Sequence, residues 1–208
     1  MTRDEALALY RPVRAGIQRV LKVAPDVCSR AEWARAGKQL GIWSSGGLAI
    51  DDDRAVDMLT DIVLFEQDPK GRRAYDRFLE RQAGKLAPAD RELATRMAGA
   101  FFSVFRLAGR HEAAGVRVED VMNANRPIWL LDESLEKSAP AGLTFGMRLF
   151  DAGPFHAGFG IVVPLKAEVA GFFAEAAGLG APLRFRHSLA AMLYGEAIAE
   201  AFDDAAED

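Results

Sequence analysis

Cysteine is almost absent from this chain. Cys28 stands alone among 208 residues, so no disulfide can form within the chain, and a thiolate zinc site would lack its other ligands. Histidine is nearly as scarce: His111, His156 and His187 are the three, and no two share the i, i+4 spacing that sets two imidazoles on one helical face. No metal centre and no cofactor are expected. Long apolar runs are missing too, none approaching the roughly 20 residues of a membrane span. Met1 to Leu9 carries Asp4 and Glu5 where a signal peptide would be basic and then apolar. The expectation is a cytoplasmic protein with no membrane association.

Neither sign of charge dominates. The net charge is −4, with 17 Lys+Arg against 15 Asp+Glu in residues 1–100 and 9 against 15 in residues 101–208. Neither half has the basic excess of a polyanion-binding surface. What is present is ordinary globular material, half of it apolar and 27% charged, in a chain long enough to bury a core without staples.

Apolar residues Leu7, Tyr10, Val13, Ile17, Val20 and Leu21 recur at helical spacing, with Pro12 marking a kink or a helix start. Ser29-Arg30-Ala31-Glu32 has the Ser-x-x-Glu form of a reciprocal helix cap and predicts a helix to about Leu40. Gly41 to Gly47 reads as a turn. Asp51-Asp52-Asp53 reads as the cap of a third helix reaching about Glu66, and Asp68-Pro69 and Ala87-Pro88 each restart a helix.

From Phe101 the period changes to 2. Five short runs follow: Phe101–Leu107, Val116–Val121, Pro127–Leu131, Leu143–Leu149 and Phe155–Val163, with a helical turn over 132–139. The helical period then returns, ending near Gly178 or Gly180, before a last helix from about Pro182 to Phe202 and an acidic tail Asp203–Asp208. The expected fold class is α+β: a helical region over 1–100, a five-stranded antiparallel small β sheet or partly closed barrel over 101–165, and C-terminal helices over 166–208 packed on the rest as one compact unit.

Chemistry-bearing motifs are few. Trp43 to Gly47 matches neither a phosphate loop nor a nucleophile elbow. His156 lies in the glycine-rich run Gly153–Gly160, opposite the apolar face of the last strand, where a plain surface histidine outweighs a catalytic one. Glu112 and Asp132, with Glu119, Asp120 and Glu133, flank the β turns and are the carboxylates nearest to hand for a general acid/base pair with His156. Lys70 to Arg96 holds eight cations against four anions, which reads as a solvated helix face ahead of a nucleic-acid footprint.

One pattern is shared more widely. Arg77-Phe78-Leu79, Leu86-x-Pro88-x-x-Arg91, a strand at Ser103 to Leu107, Gly115-Val116-x-Val118-x-Asp120-Val121, Gly142 and Arg148-Leu149 together resemble uncharacterised bacterial proteins. The resemblance covers under half the chain. It implies a helical region followed by a small β domain with no assigned activity, and it transfers no site residue.

Three functional expectations follow. The first is a non-enzymatic interaction or regulatory protein that binds a protein partner or a second copy of itself, because Phe102, Trp129, Phe150 and Phe155 cannot all be placed inside by alternation. Its binding surface is expected at Trp129, Phe150, Phe155 and His156. The second is a nucleic-acid-binding protein using Arg106, Arg117, Arg126 and Arg148 with Arg72, Arg73 and Arg77. The third is a hydrolase built on His156 with nearby carboxylates.

Overall fold

The computed structural model describes residues 1–44, 47–48, 52–179 and 187–207. In chain order these form α1 (Arg3–Val23), α2 (Arg30–Gln39), β1 (Trp43–Ser44), β2 (Gly47–Leu48), α3 (Asp53–Phe65), α4 (Ala74–Arg81) and α5 (Pro88–Met97). Then come β3 (Phe101–Arg110), β4 (Val116–Asp120), β5 (Arg126–Leu130), α6 (Glu133–Ser138), β6 (Thr144–Asp151), β7 (His156–Pro164), α7 (Ala167–Gly178) and α8 (Leu189–Glu207). Contacts divide the chain into two compact units, Met1–Val20 with Ala87–Arg184 and Leu21–Leu86 with Phe185–Asp208.

Local chemistry sets the helix ends of the second unit. The Ser29 hydroxyl accepts the Glu32 N–H at 3.3 Å while the Glu32 carboxylate accepts the Ser29 N–H at 2.8 Å, so α2 starts at Arg30. Asp52 caps α3 through the Arg54 N–H at 2.7 Å. The helix expected to restart at Pro69 instead starts at Ala74. Asp68 captures the N–H groups of Lys70 and Arg72 at 2.8 and 3.0 Å, and Gly71 adopts φ +75°, so these residues close a turn. The turn expected over 41–47 contains a two-residue hairpin, Trp43 opposite Leu48 and Ser44 opposite Gly47. Ser45, Gly46, Asp51, Gly180, the Pro182 helix start and Asp208 lie outside the described residues. The described part of α8 begins after Ser188, whose hydroxyl accepts the Ala191 N–H. Phe65 stacks on Tyr75 at 4.6 Å and Tyr75 meets Phe78, forming an aromatic core between α3 and α4.

In the first unit the five strands form one mixed sheet with neighbours β3-β4-β5-β7-β6, and β6 returns to β3. The sheet is not purely antiparallel. β5 and β7 run parallel, joined at Leu130 opposite His156 and by the Leu131 N–H donated to the His156 carbonyl at 3.0 Å. The reason is connectivity: α6 and β6 intervene between β5 and β7, so the two strands meet after a crossover rather than a hairpin. The inner face is packed with Phe105, Leu107, Val116, Val118, Ile128, Leu130, Phe145, Met147 and Leu149. Gly158 leaves room there for Met147, whose Cε lies 2.1 Å from where a Cβ would stand.

Helices cover part of the outer face. α5 and α7 both contact β6, and Tyr10 of α1 meets Phe155 edge-on at 6.1 Å. Phe150 is therefore fully buried although it points outward, stacked on Phe159 at 5.7 Å. On α1, Pro12 sits inside a continuous helix rather than beginning a second one.

Candidate functional site

Strand register lays two rows of side chains across the outer face of β3, β4 and β5. Arg106, Glu119 and Pro127 lie side by side in one row, and Gly109, Arg117 and Trp129 in the next. Arg106, Ala108, Arg117 and Pro127 are exposed, and Glu119 and Trp129 are half-buried. Arg106 holds Glu119 through Nε and Nη2 at 3.0 and 2.6 Å. Arg117 reaches Glu112 at 3.6 Å, across the solvent-exposed end of the pair, a distance at which an exposed pair contributes little.

Trp129 anchors this face. Its indole N–H donates to the Ala114 carbonyl at 2.7 Å, which fixes the ring against the β3–β4 turn. His111 from that turn lies flat on the indole, 4.0 Å between centroids and 9° between planes. The His111 Nδ1 accepts the Ala113 N–H at 3.2 Å, leaving Nε2 on the side of Glu112. Phe155 meets the other side of Trp129 at 5.8 Å. The result is an aromatic run from turn to sheet to α1, with His111 and Trp129 both half-buried.

His156 opens onto the inner side of the sheet. It is the strand partner of Asp151, and Phe101 meets it edge-on at 6.4 Å. Arg126 lies over Phe101 at 5.6 Å and comes within 4.0 Å of the Asp120 carboxylate. Asp120 is buried and accepts the Ser103 hydroxyl at 2.5 Å. This end of the sheet therefore groups the buried Ser103–Asp120 pair with Arg126, Phe101, His156 and Asp151.

Burial lowers the His156 pKa from its ordinary 6.5, with Asp151 opposing and Arg126 assisting. A histidine held neutral in the fold stabilises it above the unfolded pKa, and that contribution is lost as pH falls below 6.5 through the lowered value. The urea midpoint of the wild type should fall between pH 7.5 and pH 5.5 by more than that of His156→Leu. Parallel pH profiles for the two proteins would refute the role given to His156.

The other residues singled out in the sequence are placed as follows. Glu112 sits on the β3–β4 turn beside His111 and Arg117. Asp132 caps α6 by accepting the Ser134 and Leu135 N–H groups. Phe150 and Phe155 are 0% and 2% exposed and offer no surface, which leaves Trp129 and His156 of the four aromatic and imidazole candidates. Arg148 is buried with its guanidinium over the Phe102 ring at 5.7 Å, so it does not join Arg106 and Arg117 outside. Arg72, Arg73 and Arg77 are engaged by Asp68, Asp76 and Glu32. Burial, then the charge of Glu32, push the Cys28 thiol up to about 11, the opposite of an activated nucleophile. Sequence reasoning did not single out His111 as a member of the aromatic run. The signal was its position in a turn one strand away from Trp129.

Among the described residues no three His, Cys, Asp or Glu side chains cluster to hold a metal ion. None of the described helices is long and apolar enough to cross a membrane. Residues 4–172 match a family of unknown function (DUF7986). No curated protein and no solved structure matches the chain.

Proposed function

The chain belongs to this family of unknown function, and we propose that it is a non-enzymatic binding protein whose β unit docks an extended, negatively charged partner on the outer face of β3, β4 and β5. The observation that carries the reading is the row Gly109-Arg117-Trp129, an exposed arginine beside a fixed, half-buried aromatic on a sheet face that the helices leave open. An apolar protein interface is disfavoured there, because Phe150 and Phe155 are buried and two of the four exposed positions, Arg106 and Arg117, are arginine.

Single-stranded nucleic acid fits these residues best. Its phosphates suit Arg106 and Arg117, and a base can settle against the His111–Trp129 stack, since stacking tolerates any base. The strand order β3-β4-β5-β7-β6, with α6 after the third strand, also favours an OB-like barrel, a fold that binds through its second and third strands. That support is analogy of fold.

The test is fluorescence anisotropy of labelled oligothymidine with the full chain at low salt. Wild type should bind, with affinity falling as salt rises. The double variant Arg106→Glu, Arg117→Glu should weaken binding by about tenfold or more, from the loss of two phosphate contacts. Binding that stays undetectable at low salt, or is unchanged in the double variant, would sink the reading.

A further inference from the structure

A second site lies where the end of β3, the start of α1 and α6 meet. Arg3, Arg110, Glu133, Glu136 and Lys137 line a cleft of about 420 Å³. Every lining residue is charged, unlike the apolar walls usual in small-molecule pockets, so its occupant must be small and polar.

One pair in the cleft is structural. Arg3 holds Glu136 through both guanidinium nitrogens, one of them at 3.1 Å. Arg3 first, then the Gly115 N–H and the more distant charge of Arg110, hold the Glu136 carboxyl below the usual range against its burial. Glu136 therefore ties the β3–β4 turn to α6 and is already satisfied. Arg110, Lys137 and Glu133 have no ion pair among the described residues, although Glu133 and Lys137 stand one helical turn apart on α6. Two cations and one carboxylate are thus left facing the cleft.

We propose that this cleft binds a small phosphoryl oxyanion that also carries an O–H donor. Arg110 and Lys137 take the charged oxygens, the guanidinium fork and the ammonium each suiting phosphate. Glu133 accepts the O–H. The carboxylate makes the site selective: at neutral pH inorganic phosphate retains a proton to donate, whereas sulfate has none and meets Glu133 as a like charge. Inorganic phosphate and hydroxylated phosphate esters share this chemistry.

The full chain in a phosphate-free buffer is titrated calorimetrically with inorganic phosphate, sulfate and glycerol phosphate at one pH and ionic strength. Phosphate should bind saturably and about tenfold more tightly than sulfate, the difference one charged hydrogen bond makes. Tighter binding of glycerol phosphate identifies an ester as the occupant, and tighter binding of phosphate identifies the free ion. The exposed double variant Arg110→Ala, Lys137→Ala should lose about tenfold or more. Glu133→Gln should bring sulfate and phosphate to within about threefold of each other. No saturable binding, equal affinity for phosphate and sulfate in wild type, or an unchanged double variant would overturn the assignment. The phosphate–sulfate comparison in wild type stands without any variant.

Discussion

Gly115→Ala should destabilise the β unit by about 2–4 kcal/mol, summing the strain of a left-handed alanine and the overpacking of a filled site. Gly115 holds φ +76°, and a Cβ there would stand 2.4 Å from the Leu130 carbonyl oxygen and 2.8 Å from the Leu131 Cα. Those are backbone atoms at the end of β5, so no side-chain rotation relieves the clash. The residue after them, Asp132, caps α6, and the Gly115 carbonyl accepts the His111 N–H at 3.0 Å. The strain would spread to the turn that carries the Trp129 stack. Gly142→Ala is the control. It has φ +78° with nothing within 4 Å of the new Cβ, so it should cost only about 1 kcal/mol. Urea midpoints of the two variants separate backbone strain from collision, and equal losses would contradict the argument.

Phe105→Ala should cost about 3–5 kcal/mol, the range for deleting a buried aromatic whose surroundings cannot collapse. Phe105 is fully buried, 6.2 Å from the Phe101 ring and 6.0 Å from Phe145. Its strand partners are Asp120 on β4 and Phe145 on β6, so it is held from both sides and the cavity would remain open. Phe101 would lose its inner neighbour and with it part of the support for Arg126 and His156. Phe102→Ala, which removes a half-buried ring on the outer side, should cost distinctly less. A loss at Phe105 no larger than that at Phe102 would show that the inner cluster is not the main core of this unit.

The change of period at Phe101 was legible because alternation is local: Ser103 and Phe105 against Val104 and Arg106 need no knowledge of partners. The Ser29–Glu32 cap was legible for the same reason, its partners lying three residues apart. The parallel join of Leu130 to His156 left no such trace, since pairing across 25 residues of intervening chain has no local pattern. Phe150 and Phe155 were misplaced on the surface because alternation separates two faces of a strand but does not say that α5, α7 and α1 cover the outer one. Arg148 followed them inside, its charge spread over the Phe102 ring. Asp68 overruled the helix signal of Pro69 with two side-chain hydrogen bonds that the residue types permitted but did not dictate.

The candidate site was half legible. Trp129, Arg106, Arg117 and Arg126 were singled out, while the part of His111 and the open side of the sheet depend on register. The charged cleft was not legible at all, because Arg3, Arg110 and Glu133 to Lys137 are brought together by three separate elements.

The most direct test of a binding face on β3, β4 and β5 is amide chemical-shift mapping of the full chain on titration with oligothymidine. The largest shifts should fall at Arg106 to Gly109, Val116 to Glu119 and Ile128 to Trp129, with Tyr75 to Arg81 unmoved. Shifts concentrated on α4, or none at saturating oligonucleotide, would contradict the account.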